Sequence, residues 1–388
     1  MNNGSRAKAG LVRLILALSA GVLSAGAAVG DGLQEKPLWG VCYGPFRNGQ
    51  APGGIYPSES QIRADLSLLR SVARAVRTYG TEDVLADIPR WCGDYGIRCY
   101  PGAWIGSDAA ANAAQVSNLI AIAAQGYPAT EGLIVGSEVL LRGDTSVSNL
   151  IGYIQRVKAA TTLPVTTADA WNIWDQDASS NLAAAVDFIM IHVHPYWESP
   201  YWNPKLTAET AAQHVIDRYN QIRQKYPAKR VVIGETGWPT AGSVNGGAVP
   251  GDANQQRFLQ DLSSIARTSA VEILWFEAFD EAWKSAEGDV GAHWGFCLTN
   301  RVCKPAISNL LASDSRVIAI TAATGSVCVT VGSYPGNQYT LEASTNLLVA
   351  AWPPLVTFTG APAVNVSAVT VDASAAAARF CRNRLNLP

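Results

Sequence analysis

Residues 133–144 read LIVGSEVLLRGD and residues 231–239 read VVIGETGWP. Each stretch opens as a short apolar run, which reads as a strand, and each run stops at a carboxylate, Glu138 in the first and Glu235 in the second. Runs of the same kind recur at 38–43, 75–79, 97–103, 132–136, 164–167, 188–193, 230–234 and 272–276. Between them lie amphipathic helical stretches such as 59–73, where Ile62, Leu66 and Leu69 return at one-turn spacing behind Ser58 as N-cap. Similar helices are expected near 109–124, 147–160, 208–225 and 253–267. Eight strand-then-helix units fit a closed (β/α)8 barrel better than an open doubly wound sheet, which would carry a Gly-rich phosphate loop after its first strand. Residues 42–47 are no such loop.

Beyond the barrel, from residue 313 onward, short β-branched runs at 317–320, 327–331, 338–342, 355–358 and 364–371 alternate with Gly, Pro, Asn and Ser. They predict a small antiparallel β-module over 313–388, with residues 380–387 closing it as an edge strand. Its YTLEASTNL segment (339–347), Trp352 and the ending RFCRNRL resemble small C-terminal modules of secreted bacterial hydrolases. At the other end, Arg6, Lys8 and Arg13 precede an apolar run from Leu14 that finishes among Ala25, Gly26, Ala27 and Ala28. That layout is an export signal over 1–30, so the expected catalytic domain is 31–312 and the mature protein is secreted or periplasmic, with no membrane attachment once the signal is removed.

With 29 Lys and Arg against 31 Asp and Glu, the net charge of −2 is too near neutral to point to nucleic acid or an anionic membrane surface, and the expected partner is an uncharged or mildly polar molecule. The protein is expected to be a monomer. All seven cysteines follow the signal, and an oxidising compartment permits disulfides. Cys92 with Cys99 and Cys297 with Cys303 are the pairs closest in sequence; an odd total leaves at least one thiol unpaired.

Barrel chemistry takes place where strands end, so Glu138 and Glu235 are the candidate catalytic residues. Two carboxylates across a cleft suit glycosidic cleavage, one protonating the leaving oxygen and the other attacking the anomeric carbon or activating water. Aromatic residues cluster at the same rim: Trp104, Trp171, Trp174, Trp197, Trp202, Trp238, Trp283 and Trp294 all follow strand ends. Flat apolar faces stack on pyranose rings, and Tyr43, Tyr79 and Tyr196 have similar places. Tyr196 is expected to hold Glu235 by a hydrogen bond. His192 and His194, at i, i+2, could bind a metal, but without an evident third ligand they read as hydrogen-bonded cleft or core histidines, and no metal or other cofactor is expected.

These motifs carry a family resemblance. VGSEVLLRGD, IGETGWPTAG, FEAFDEAWK and HWGF, with WGVCYGPFR at the first strand and RTYG at the second, resemble those of family-17 glycoside hydrolases, which are β-1,3-glucanases and related transglycosylases. The resemblance runs from Trp39 to about Pro305. It implies a retaining barrel enzyme acting on β-1,3-glucan, with Glu138 as acid/base and Glu235 as nucleophile. It also implies supporting roles for Glu277, Glu281 and Lys284 after the eighth strand. A cation beside the nucleophile would favour its ionised form, and burial and like charge would raise the acid. One departure is Ser137, where related barrel glycosidases usually carry an Asn that contacts the sugar 2-OH; activity is expected to survive it. Two alternatives differ in outcome: a glucan transglycosylase sharing the same intermediate, and a catalytically silent barrel that only binds carbohydrate.

Overall fold

The computed structural model describes residues 36–314 continuously and, beyond them, six strands between residues 317 and 386. The export signal (1–30), Trp352 and residues 345–347 of the YTLEASTNL segment lie outside the described residues.

Nine short strands make one all-parallel sheet: β1 (Leu38–Cys42), β2 (Ala73–Arg77), β3 (Arg98–Tyr100), β4 (Gly102–Ala103), β5 (Leu133–Ser137), β6 (Val165–Ala170), β7 (Ile189–His192), β8 (Val231–Thr236) and β9 (Ile273–Trp275). β9 pairs with β1, Gly40 lying opposite Leu274, so the first and last strands meet. β3 and β4 are the two halves of the single strand expected over 97–103. Pro101, which has no N–H to give to a ladder, separates them, while its carbonyl still accepts from Ile134 at 3.0 Å. Counted this way the sheet is an eight-stranded closed barrel.

Side chains divide by strand alternation. Cys42, Ala75, Tyr100, Ile134, Ala168, Phe188, Met190, Val232 and Leu274 fill the barrel interior. The alternate positions, among them Val41, Val76, Leu133, Val135, Ile191 and Ile233, pack outward against the helices. The helix Glu59–Val72 shows how locally this is encoded. Ser58 and Gln61 form a reciprocal capping box at its start, and Ile62, Leu66 and Leu69 are buried.

After the helix Pro305–Asp314 come two antiparallel three-stranded sheets, in the orders β10 (Val317–Ala323), β11 (Ser326–Gly332), β14 (Val366–Asp372) and β13 (Pro354–Thr359), β12 (Gln338–Ser344), β15 (Phe380–Asn386). Val329, Val331, Leu341 and Val369 form their apolar cluster. No helix of the described residues is long and apolar enough to cross a membrane.

Candidate active site

The turn after β5 aims Glu138. Gly136 has φ +85°, and Glu138 itself takes a left-handed conformation with φ 53° and ψ 32°. A non-glycine residue there costs about 1–2 kcal/mol, so neighbours must hold it. They do: the Glu138 N–H donates to the Ala168 carbonyl at 2.8 Å, Leu140 N–H donates to Asp169 Oδ2 at 2.9 Å, and Arg142 Nη1 donates to the Ser137 carbonyl at 2.6 Å. Opposite, Glu235 sits within β8 behind Gly234, where any Cβ would come 2.3 Å from Met190 Cγ. A carboxylate oxygen of each glutamate, together with a His194 ring nitrogen, lies within 4.8 Å of the others.

Arg77, the last residue of β2, joins both sides from the barrel interior. Its Nη1 is 2.8 Å from the Gly234 carbonyl, 2.8 Å from His192 Nε2 and 3.1 Å from Glu235 Oε1, while Nη2 donates to Ser137 Oγ at 2.9 Å. A guanidinium can only donate, so His192 Nε2 accepts and the imidazole carries its proton on Nδ1. That nitrogen is 2.9 Å from Glu138 Oε1 and donates to it. Glu235 accepts from Tyr79 Oη at 2.9 Å on Oε1 and from His194 Nε2 at 3.2 Å on Oε2.

Burial opposes ionisation of Glu235, but the Arg77 guanidinium and the hydrogen bond from His194 outweigh it and hold the carboxyl well below its ordinary range. Glu138 departs from expectation. Burial and the like charge of Glu235 push it up, yet the hydrogen bond from His192 prevails and the group lies below its usual value in the open cleft. Burial disfavours protonation of His194, but its bond to Glu235 outweighs that and raises the imidazole above the ordinary histidine range. A metal held by Glu138, His194 and Glu235 would compete with Arg77, Tyr79 and His192 for oxygens already engaged, so the three fit a cation poorly.

The remaining expected residues divide sharply. Tyr196 does not hold Glu235: its hydroxyl donates to the Ser243 carbonyl at 2.7 Å, and Tyr79 takes the place foreseen for it. Tyr43 points away from the cleft, buried, with its hydroxyl 3.2 Å from Asp65 Oδ2. Trp174 and Trp238 are core residues, their indole N–H groups spent on the Met190 and Val249 carbonyls. Trp294 is buried too, but forms the wall behind His194, 5.5 Å between ring centres. Trp283 is partly buried against Phe46. Trp104 and Trp197 stand open at 45% and 44% exposure, and Trp171 is half-buried with its indole donating to Glu198.

Lys284 is buried between Glu277 Oε2 (2.5 Å) and Glu281 Oε2 (2.9 Å). Burial pushes Glu277 well up in spite of that cation. The positive charge in contact with Glu235 is therefore Arg77 rather than Lys284. Sequence reasoning passed over Arg77 and Asp169; the available signal was an arginine as the last residue of β2 and an aspartate one residue before the end of β6.

Comparison with known proteins agrees with this arrangement. Residues 40–295 match the BtgE/BtgC glycoside hydrolase domain. A glucan 1,3-beta-glucosidase of Schizosaccharomyces pombe is 29% identical over 62% of this chain and 78% of its own. The btgC protein of Aspergillus niger is 30% identical over 61% of this chain, which spans only 38% of that relative's length. The crystal structure of a glycoside hydrolase family 17 beta-1,3-glucanosyltransferase from Rhizomucor miehei superposes with a TM-score of 0.61 at 30% identity, covering 70% of this chain and 96% of that one. An endo-laminarinase from Formosa, 19% identical, shares the fold with a TM-score of 0.63 over 71% of this chain and 87% of its own. With two carboxylates facing each other at the strand ends of a closed barrel, and two thirds of its length matched, the chain belongs to the BtgE/BtgC glycoside hydrolase family.

Proposed function

We propose that the protein is a retaining glycosidase acting on β-1,3-glucan, with Glu235 as nucleophile and Glu138 as acid/base. The observation that carries the reading is the approach of the two carboxylates to within 4.8 Å, close to the ~5–5.5 Å of retaining enzymes and short of the ~6.5–9.5 Å that leaves room for an inverting water. Glu235, held ionised, attacks the anomeric carbon while Glu138 gives its proton to the departing glycosidic oxygen. Water, deprotonated by Glu138, then displaces Glu235 and restores both groups. Sugar entering the cleft expels water from around Glu138, which strengthens the burial that favours its protonated form. The substrate rests on the relatives, whose names specify 1,3-β-glucosidic linkages, and on a laminaritriose complex of a mutant of the R. miehei enzyme. That enzyme is a glucanosyltransferase, which favours a second reading in which sugar rather than water intercepts the intermediate.

The deciding experiment incubates the mature protein with linear β-1,3-oligoglucosides and follows product length and anomeric form. Retention gives a β-anomer first, lost in Glu235→Ala; an α-anomer, or undiminished cleavage by that variant, overturns the reading. Products longer than the substrate identify transfer.

The same reading covers export through residues 1–30, a monomeric catalytic domain ending near residue 312, and a disulfide at Cys297 and Cys303. These two cysteines face each other across an antiparallel bridge whose flanking bonds are Leu298 N–H to Val302 (2.9 Å) and Lys304 N–H to Phe296 (2.8 Å). They thus form a non-hydrogen-bonded pair with Cα atoms ~4.5 Å apart, within the span of a disulfide. Cys92 and Cys99, in side-chain contact, are the second pair.

A further inference from the structure

We propose that Glu198 is a positioning residue for this reaction, fixing the Trp171 ring as a sugar platform and holding His194 against Glu235. The proposal rests on the glycosidase reading. Glu198 stands at the end of the one-turn helix Pro195–Glu198, and four-fifths of its side chain is buried (19% exposed). Oε1 accepts the N–H of His194 at 3.0 Å, while the Glu198 N–H donates back to the His194 carbonyl at 3.1 Å. Oε2 accepts from the Trp171 indole at 3.0 Å and from His214 Nε2 at 2.7 Å. One carboxylate thereby ties together the segment after β6, the segment after β7 and the helix Ala208–Lys225.

What it ties determines what it does. Arg218, one turn along that helix from His214, lies 4.8 Å over the Trp171 ring and 4.8 Å over Trp202. With one face covered by a guanidinium and its N–H committed to Glu198, Trp171 is held in a single orientation. His194 has its backbone fixed by Glu198 and its ring flanked edge-on by Phe276 and Trp294, each 5.5 Å away, which directs Nε2 to Glu235 Oε2. Glu198 acts on the cleft only through these two residues.

Glutamine at this position has nearly the same shape but only one accepting oxygen. Its amide N–H₂ must face either the His194 N–H or the Trp171 and His214 donors, and the bond there is lost. In Glu198→Gln we expect kcat/KM on β-1,3-oligoglucosides to fall about 100-fold, the scale of a roughly 1 Å misplacement of reacting groups. The acid limb of its pH profile moves to higher pH, because Glu235 loses part of the contact that holds its carboxyl down. Glu198→Asp, which keeps the charge but withdraws it by one methylene, moves both readouts the same way and serves if the glutamine variant does not fold. A wild-type kcat/KM, or a loss of activity with the acid limb unmoved, overturns the proposal. Glu235→Gln is measured alongside: if it remains active the glycosidase reading itself fails, whereas an inactive Glu235→Gln beside an unaltered Glu198→Gln rejects the role of Glu198 alone.

Discussion

Arg77 sets the protonation pattern of the site. Donating to His192 from below, it leaves the imidazole one way to face Glu138, and it lies against Glu235 at the same time. Lysine keeps the charge but not the fork, and cannot meet His192, the Gly234 carbonyl, Glu235 and Ser137 together. Arg77→Lys should therefore lower kcat/KM on the order of 100-fold and reduce Tm as well, since each buried acceptor left without its donor costs about 1–3 kcal/mol; steady-state kinetics and thermal melts check both. Glu138 gives a separate pH prediction. Its carboxyl is held below the ordinary glutamate range in the open cleft by the hydrogen bond from His192, so the fraction protonated, and with it kcat/KM, declines as pH rises from the acid side. Bound sugar deepens its burial, so the alkaline limb of kcat should lie at higher pH than that of kcat/KM; coincident limbs would exclude this tuning. None of this was legible in the sequence. Arg77 belongs to the quoted RTYG, but whether a strand's last residue points into the barrel depends on the register of all its neighbours.

At the scale of elements, sequence located the strands well and the side chains after them poorly. Eight apolar runs became eight barrel strands, with Pro101 dividing one of them. Eight tryptophans after strand ends shared one reading, yet their surroundings differ, because a single loop dihedral decides whether an indole rises into the cleft or drops between strand and helix. Trp174 and Trp238 dropped. Replacing either by Ala should cost about 3–5 kcal/mol of stability, visible in Tm, with KM unchanged in the folded fraction. Trp104 rose, one face covered by Arg142 at 4.5 Å and the other open. Trp104→Ala should leave Tm nearly unchanged and raise KM for long oligosaccharides by about tenfold, the loss of one stacking contact of ~1.4 kcal/mol.

For the whole molecule, closure of the barrel was readable from the count of units and the Cys297–Cys303 pairing from its spacing, whereas the hydrogen bonds around that pair were not. Cys297 and Cys303 belong to the segment that backs Glu277, through Phe296 N–H to the Glu277 carbonyl at 2.8 Å. If the proposed bridge forms, Cys303→Ser should cost about 2 kcal/mol of stability for so small a loop, seen as a lower Tm, only in protein recovered from an oxidising compartment. Equal melting of variant and parent, or two free thiols in the parent by mass spectrometry, would rule the bridge out.

Arg301, in the segment after the last barrel strand, grips Asp65 of the first long helix with two bonds, 2.9 Å and 2.7 Å, beside Arg47 at 2.6 Å. Asp65 is completely buried, and its partner lies 236 residues further along the chain. During synthesis the N-terminal half must therefore wait: a carboxylate destined for the interior has Arg47 for company but not Arg301 until nearly the whole barrel has emerged. β1 likewise has no β9 to pair with until then. Such long-range closure makes folding slow and the waiting edge sticky, so the newly made chain depends on whatever shields it before the barrel closes far more than the finished fold does.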